Sequence, residues 1–348
     1  MRRKKKNSGL ARLLLFLIAF LVIVGVIVLM AKQFAPDDPS RPSDGSTDAG
    51  ISTENNASPE SEINAQELTQ IAASLFAEET FSAGHLTVYD LTADVMLYEK
   101  SAETKITAAS TTKLLTALTM LEYVGEDTVF TVGSELALVG AGSSSADLVK
   151  GQTLTVDQIL DALLIPSGND AAYVIAALVG RNLSGDPQIT DADAVRLFVE
   201  KMNGKATALG AENSLFTCPD GYPDSKQYTT AKDMTAIAVA ASKNATIRKT
   251  VEKTYSEIVF PDGSVVGYVN TNQLMVPSSS YYYEGTFGMK TGSTPKAGQC
   301  LIAGANAYGH DLIVTVFKAP DNAARYTDSR NAFDLGFKAV KQAQEKEQ

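Results

Sequence analysis

The sequence predicts an α+β body: one antiparallel sheet of about five strands, built from distant parts of the chain, flanked by helices and interrupted by an inserted helical region. Three observations predict it. Short strand-like runs occur at both ends of the body, helical periodicity fills the interval between them, and a helical stretch closes the chain.

In order, residues 85–91 and 95–99 are strand-like runs joined by Thr92-Ala93-Asp94, the pattern of a hairpin. Residues 110–123 form the first expected helix of the body. Leu114, Leu118 and Leu121 recur at helical spacing, and Leu115 and Ala117 widen the stripe until most of the circumference is apolar, as in a helix buried inside a domain. A second helix is expected over 156–164, stopped by Pro166, and a third from near Asp170 through Val179. Helical patterns over 191–209 and 230–243 complete the insertion. Strands return at 286–291, 300–305 and 311–317, with 306–310 as a glycine-containing turn, and the closing helix runs from Asp328 to about Gln344.

A chain of 348 residues with 45% hydrophobic and 20% charged residues can bury a full core. Two cysteines and two histidines are too few for a disulfide framework or a His-based metal centre, so no cofactor is expected. Cys300 falls in an expected core strand and Cys218 in a loop, and no disulfide between them is expected. The formal charge of −10 divides unevenly: Arg2, Arg3, Lys4, Lys5, Lys6 and Arg12 put +6 on the first twelve residues and leave −16 for the rest, which disfavours nucleic acid as a partner.

Residues 13–31 are nineteen uncharged, mostly Leu, Ile, Val and Phe, long enough to cross a hydrocarbon layer of roughly 30 Å. Basic residues precede them and Asp37 and Asp38 follow, which orients residues 1–12 to the cytoplasm and the body to the exterior. The run exceeds the apolar core of a cleavable signal peptide and no clean A-x-A site follows, so a retained single-pass anchor is expected. Residues 32–66 are read as a disordered linker, because 35–62 are rich in Pro, Ser, Asp, Asn and Gly and sum to −6. The body then occupies 67–348.

Three short motifs carry chemistry. Ser110-Thr111-Thr112-Lys113 opens the apolar helix, and residues three apart share a helical face, so the Lys113 amine can reach the Ser110 hydroxyl. A serine needs a neighbour to take its proton, and a desolvated lysine can do so because burial disfavours its charged form. The alternative is an N-capping serine with a solvated lysine. Ser167-Gly168-Asn169 follows Pro166 at a break between helices, where functional side chains are often placed. Ser242-Lys243-Asn244 and Ser329-Arg330-Asn331 share its pattern but lie inside helical stretches. Lys290-Thr291-Gly292 lies on an expected strand, with Lys290 and Gly292 on one face and Thr291 on the other, and Gly292 would let another backbone approach. The alternative for Lys290 is a charge that guards an edge strand against aggregation.

In this order the three resemble the set found in penicillin-recognising serine enzymes, S-x-x-K with S-D-N and K-T-G, here with S-G-N in the middle. The flanking text at 106–117, 164–172, 202–210, 228–234, 270–274 and 288–301 is similar to the serine-type D-alanyl-D-alanine carboxypeptidases, the low-molecular-mass penicillin-binding proteins, over roughly residues 67–345. The resemblance implies a β-lactamase/DD-peptidase-like fold and removal of the terminal D-Ala from peptidoglycan stem peptides, with β-lactams as inhibitors. It implies Ser110 as the acyl-enzyme nucleophile, Lys113 as its proton acceptor and Ser167 as a relay to the leaving nitrogen. Asn169 would hold the substrate backbone. Lys290 and Thr291 would meet the substrate carboxylate beside Gly292, with Arg325 near the carboxylate pocket, and the backbone N–H groups of Ser110 and Ser293 would form an oxyanion hole.

Two local departures concern substrate preference and rate. Cys218-Pro219-Asp220-Gly221-Tyr222 stands where the family commonly has Asn-Pro-His-Gly-Leu, and Ser293 where a bulkier residue is frequent. A β-lactamase would need a glutamate in an E-x-x-L-N context, which Glu212-Asn213-Ser214-Leu215-Phe216 imitates only at its start. A non-catalytic wall-binding sensor and a triad built on His85 or His310 are the remaining alternatives.

Overall fold

The structure is a computed structural model that describes residues 63–347; the expected anchor at 13–31 and most of the linker lie outside the described residues. Among the described residues, no helix is long and apolar enough to cross a membrane.

A five-stranded antiparallel sheet organises the body. Its strands are β1 (His85–Asp90), β2 (Val95–Lys100), β7 (Thr286–Thr294), β8 (Gly298–Ala307) and β9 (His310–Ala319), in the spatial order β2-β1-β9-β8-β7. Strands distant in the sequence, β1 and β9, pair at the centre, where Leu86 meets Val316 and Val88 meets Val314. Two short ribbons lie apart from this sheet: β3 (Phe130–Thr131) with β4 (Thr153–Leu154), and β5 (Tyr255–Val259) with β6 (Val265–Val269).

Side-chain alternation along the central strands sends apolar groups to both faces, so the sheet is covered twice. Leu312, Val314 and Val316 join Leu68, Phe76, Phe333 and Phe337 on the side covered by α1 (Ala65–Phe76) and α8 (Asn322–Glu347). Ile302, Ile313 and Phe317 join Leu114, Leu118, Ile159 and Phe198 on the other side. There lie α2 (Lys113–Leu121), α3 (Val156–Leu164), α4 (Asn169–Ser184), α5 (Asp191–Ala208), α6 (Ala231–Lys243) and α7 (Ala245–Val251). Each Leu or Phe fully buried in these layers contributes roughly 1.5–3 kcal/mol relative to exposure. A hydroxyl chain ties α6 to the sheet, with Thr87 Oγ1 2.7 Å from both Thr235 Oγ1 and Thr315 Oγ1.

Three boundaries differ from expectation. Asn64 caps α1 by accepting from the N–H groups of Gln66 and Glu67, so helix begins at Ala65, inside the stretch read as linker. The helix expected over 110–123 divides into a tight 3-10 turn, Ala109–Thr112, and α2, whose residues from Lys113 to Met120 are all buried. The closing helix starts at Asn322, where Asp321 Oδ1 accepts from the Ala324 N–H. Its first turn, Asn322-Ala323-Ala324-Arg325, has too little apolar periodicity to announce a helix.

Candidate active site

Ser110 is half-buried in a turn whose other residues are buried. It does not cap α2, since the residue preceding that helix is Thr112 and no side chain caps it. Ala109 immediately before it holds φ 49°, a left-handed backbone that costs an L-residue roughly 1–2 kcal/mol and is sustained only by its surroundings. Those surroundings include Gly221 (φ 79°), where an added Cβ would stand 1.9 Å from the Ala109 carbonyl oxygen. No other residue type fits between that loop and the turn.

Lys113 is fully buried below the turn. Its Nζ donates to Ser110 Oγ at 3.0 Å, to Asn169 Oδ1 at 2.6 Å and to the Asp220 carbonyl at 3.1 Å. Three acceptors saturate the ammonium's three donors. Burial pushes its pKa down to about 8, against the opposing pull of Asp220, Cys218 and Asp170. Near neutral pH a minor fraction of the amine is therefore neutral and able to accept a proton from the serine.

The second motif spans the break between α3 and α4. Ser167 takes φ 70° there, and the Gly168 N–H donates to the Ala162 carbonyl at 3.0 Å. Ser144, from the loop at 141–149, donates to the Ser167 carbonyl at 2.6 Å and to Asn169 Oδ1 at 3.2 Å, while the Asn169 N–H returns to the Ser144 carbonyl at 2.9 Å. Asp170 fixes this loop. Its buried carboxylate accepts from Ser145 Oγ at 2.8 Å, from the Ala146 N–H at 2.9 Å and from the Leu148 N–H at 3.0 Å.

Strand β7 forms the third wall. Although β7 is an edge strand, Lys290 is almost wholly buried, with Nζ donating to the Thr291 carbonyl at 3.1 Å, so it is not an edge-guarding charge. Desolvation, with Lys113 and Arg325 nearby, holds its pKa well below the ordinary lysine range. Thr291 Oγ1 lies 2.6 Å from Thr271 Oγ1. An added Cβ on Gly292 would stand 3.0 Å from the Ser110 nitrogen and 3.1 Å from the Ala108 carbonyl oxygen, which is the close approach that residue was expected to permit. Arg325, buried in the first turn of α8, donates to the Gly292 and Cys300 carbonyls at 3.4 Å each and to Tyr326 Oη at 3.3 Å, and its Nε has no partner.

These walls enclose a cleft of about 590 Å³ lined by Ser110, Ser167, Asn169, Thr291, Gly292, Ser293 and Arg325 among others, with Lys113 and Lys290 behind its surface. Its lining contains no glutamate or aspartate, and Glu212 is exposed elsewhere. His310 Nδ1 pairs with Asp90 Oδ2 at 2.7 Å and His85 Nδ1 with the Ser101 carbonyl at 2.9 Å; neither ring reaches the cleft. The further S-x-N serines, Ser242 and Ser329, are buried in α6 and α8 and donate to carbonyls of their own helices. Cys218 and Cys300 are unpaired thiols, and burial pushes both up to about 12. Among the described residues no cluster of His, Cys, Asp or Glu is arranged to hold a metal ion.

Sequence reasoning missed Ser144, Asp170 and Thr271, and marked Asp220 only as part of a departure from the family pattern. Ser144 sits in a Gly/Ser run with no local signature, and Asp170 was read only as a helix start. The hydroxyl and carboxylate ties between these segments depend on chain crossings that periodicity does not report.

Residues 71–321 match the D-alanyl-D-alanine carboxypeptidase family, Peptidase_S11. A D-alanyl-D-alanine carboxypeptidase of Streptomyces sp. strain K15 is 37% identical over 250 residues, covering 69% of this chain and 82% of that protein. One from Bacillus subtilis is 30% identical over 246 residues, or 70% of this chain and 59% of that longer protein. The crystal structure of the Streptomyces K15 DD-transpeptidase superposes with a TM-score of 0.67 at 33% identity, covering 75% of this chain and 98% of that one. Penicillin-binding protein D2 of Listeria monocytogenes, in its ampicillin-bound form, gives 0.59 at 26% identity over 75% of this chain and 99% of that one.

Proposed function

The chain belongs to the D-alanyl-D-alanine carboxypeptidase family, and we propose that Ser110, Lys113 and Ser167 carry out its hydrolysis of peptidoglycan stem peptides ending in D-Ala-D-Ala. The observation that carries this assignment is the 3.0 Å hydrogen bond between a buried lysine amine and the one half-exposed serine of the turn. Ser110 Oγ attacks the penultimate D-Ala carbonyl carbon while its proton passes to Lys113 Nζ. The C–N bond breaks, the proton moves through Ser167 to the leaving D-Ala nitrogen, and water then hydrolyses the ester on Ser110.

The other cleft residues bind and orient. Asn169 is held by Lys113 and Ser144 so that its amide NH₂ can face the substrate backbone. Gly292 brings β7 against the Ser110 turn, which lets the Ser110 and Ser293 N–H groups converge on a developing oxyanion. Thr291, Lys290 and Arg325 receive the terminal carboxylate. Burial lowers the Lys290 pKa, and an arriving carboxylate favours its ammonium form. A β-lactam presents a strained amide to the same serine, and the absence of a carboxylate from the cleft lining favours slow release of the acyl group over lactamase turnover.

Residues 13–31 are proposed as a single-pass anchor holding the body outside the bacterial membrane, on the length and charge arguments given above. The experiment for the whole reading incubates the full chain with fluorescent penicillin and with a peptide ending in Lys-D-Ala-D-Ala. Long-lived label lost in Ser110→Ala, with D-Ala released from the peptide, is the expected result. Label without D-Ala release would mark a sensor, and rapid penicillin turnover a lactamase. An added amine acceptor then separates hydrolysis from transfer. Reaction of single cysteines with an impermeant reagent in whole cells tests the orientation.

A further inference from the structure

Asp220 is completely buried in the loop that presses on the Ser110 turn, and one of its carboxylate oxygens has no hydrogen-bond partner. Its other oxygen accepts the Tyr222 N–H at 3.0 Å, and its main-chain carbonyl accepts from Lys113 Nζ at 3.1 Å. A carboxylate held this way in a low-dielectric interior acts over several ångströms, because little water screens it.

The groups facing Lys113 can be compared in turn. From the turn itself comes the neutral Ser110 hydroxyl. From α4 come Asn169, neutral, and Asp170, whose carboxylate is committed to Ser145 Oγ and the Ala146, Leu148 and Ala171 N–H groups. Tyr173 and Cys218 are both pushed up by burial, Cys218 to about 12, so neither carries charge near neutral pH. From β7 comes Lys290, a second cation site with Arg325 beyond it. Asp220 is thus the acidic group of this set that retains an uncommitted oxygen.

We propose that Asp220 is a positioning residue of the active site, whose buried carboxylate sets the pH range in which Lys113 can take the Ser110 proton. The proposal rests on Lys113 being that proton acceptor. A negative charge beside the amine favours its ammonium form, so Asp220 holds Lys113 nearer to the charged state than burial alone would leave it. Burial and Asp220 act in opposite directions, and their balance, with a smaller pull from Asp170, leaves the lysine titrating at about 8. The same loop fixes the amine's position through the Asp220 carbonyl, which a side-chain substitution leaves in place.

The test measures acylation of the full chain by fluorescent penicillin as a function of pH in the wild type and in Asp220→Asn. The readout is the position of the acid limb and not the height of the plateau. Removing the charge is expected to move that limb down by about one pH unit, so acylation well below the limb speeds up about tenfold relative to the plateau. A part that only supports the loop would lower the plateau and the melting temperature without moving the limb. Asp220→Ser, uncharged and smaller, keeps the measurement available if the Asn variant folds poorly, and the same shift is expected. An acid limb that stays in place in both variants, or rises, overturns the proposal. Loss of acylation at every pH in both, with melting temperatures retained, overturns it as well. A wild type that shows no acylation at any pH, or acylation unaffected by Lys113→Met, instead defeats the reading of Lys113 on which the proposal stands.

Discussion

Gly292 and Ser110 meet backbone to backbone: a Cβ on the glycine would lie 3.0 Å from the serine nitrogen, with the Ala108 carbonyl oxygen at 3.1 Å and the Ala109 Cβ at 3.2 Å behind it. Every near neighbour is main chain or a residue locked in the turn, so none can swing aside. Gly292→Ala should therefore displace β7 from the turn by a few tenths of an ångström. Acylation by a β-lactam is expected to slow by roughly tenfold or more, because small misplacements at a reacting centre are costly, while stability falls by only about 1 kcal/mol. Stopped-flow acylation rates beside melting curves would measure the two effects separately, and an unchanged rate would show that the spacing is not critical.

Lys113 should leave a signature in stability as well as in rate. Lys113→Met is expected to reduce acylation by roughly 10²- to 10⁴-fold. The folded-state pKa is about 8 against an ordinary 10.5, so between those values the unfolded chain binds more protons and wild-type stability rises with pH. The gain contributed by this lysine is absent below about 8 and complete above 10.5. Denaturant midpoints across this window should climb more steeply in the wild type than in Lys113→Met. Parallel curves would mean that the lysine titrates normally and is not desolvated as the structure has it.

The contrast between these residues and their supports shows what a sequence discloses. Ser110, Lys113, Ser167, Asn169 and the Lys290-Thr291-Gly292 triplet were legible because each pair works through short spacing along one helix, turn or strand. The strands at 300–305 and 311–317 were legible as largely apolar runs with turn residues between them. Asn64 capping α1 was not legible, since the segment before it is as polar as any linker. The β5–β6 ribbon was missed because Tyr255, Val259, Val265 and Val269 are exposed on its outer face, which blurs the alternation that marks a half-buried strand. It is pinned instead by Asp161, which accepts from Lys253 Nζ at 2.6 Å and Ser256 Oγ at 2.5 Å.

Asp170 offers a test of such hidden support. Its carboxylate gathers donors from Ser145, Ala146 and Leu148, and an Asn at this position would turn an NH₂ group toward at least one of those N–H groups. Asp170→Asn is expected to cost about 1–3 kcal/mol and to loosen the loop at 141–149 that carries Ser144. Limited proteolysis should find new cleavage within that loop, and acylation should slow although no proposed catalytic residue was changed. Unaltered cleavage would place the support of this loop elsewhere.

Arg325 separates recognition of the carboxylate from chemistry at the carbonyl. Its guanidinium is buried, its hydrogen bonds to Gly292 and Cys300 are long at 3.4 Å, and its Nε is unpartnered, so it retains capacity for an anion entering the cleft. The Tyr326 ring beneath it, 4.8 Å from ring centroid to Cζ, fixes the plane of the fork. Arg325→Lys keeps a positive charge but loses this planar geometry. For a peptide ending in free D-Ala-D-Ala, KM is expected to rise about tenfold or more with a smaller change in kcat, since the carboxylate is bound in both ground and transition states. The same peptide with a C-terminal amide has no carboxylate to lose, so its already poor kcat/KM should change by less than about threefold between wild type and variant. Equal losses for the acid and the amide would assign Arg325 to holding β7 and β8 in place through the Gly292 and Cys300 carbonyls, and not to the substrate.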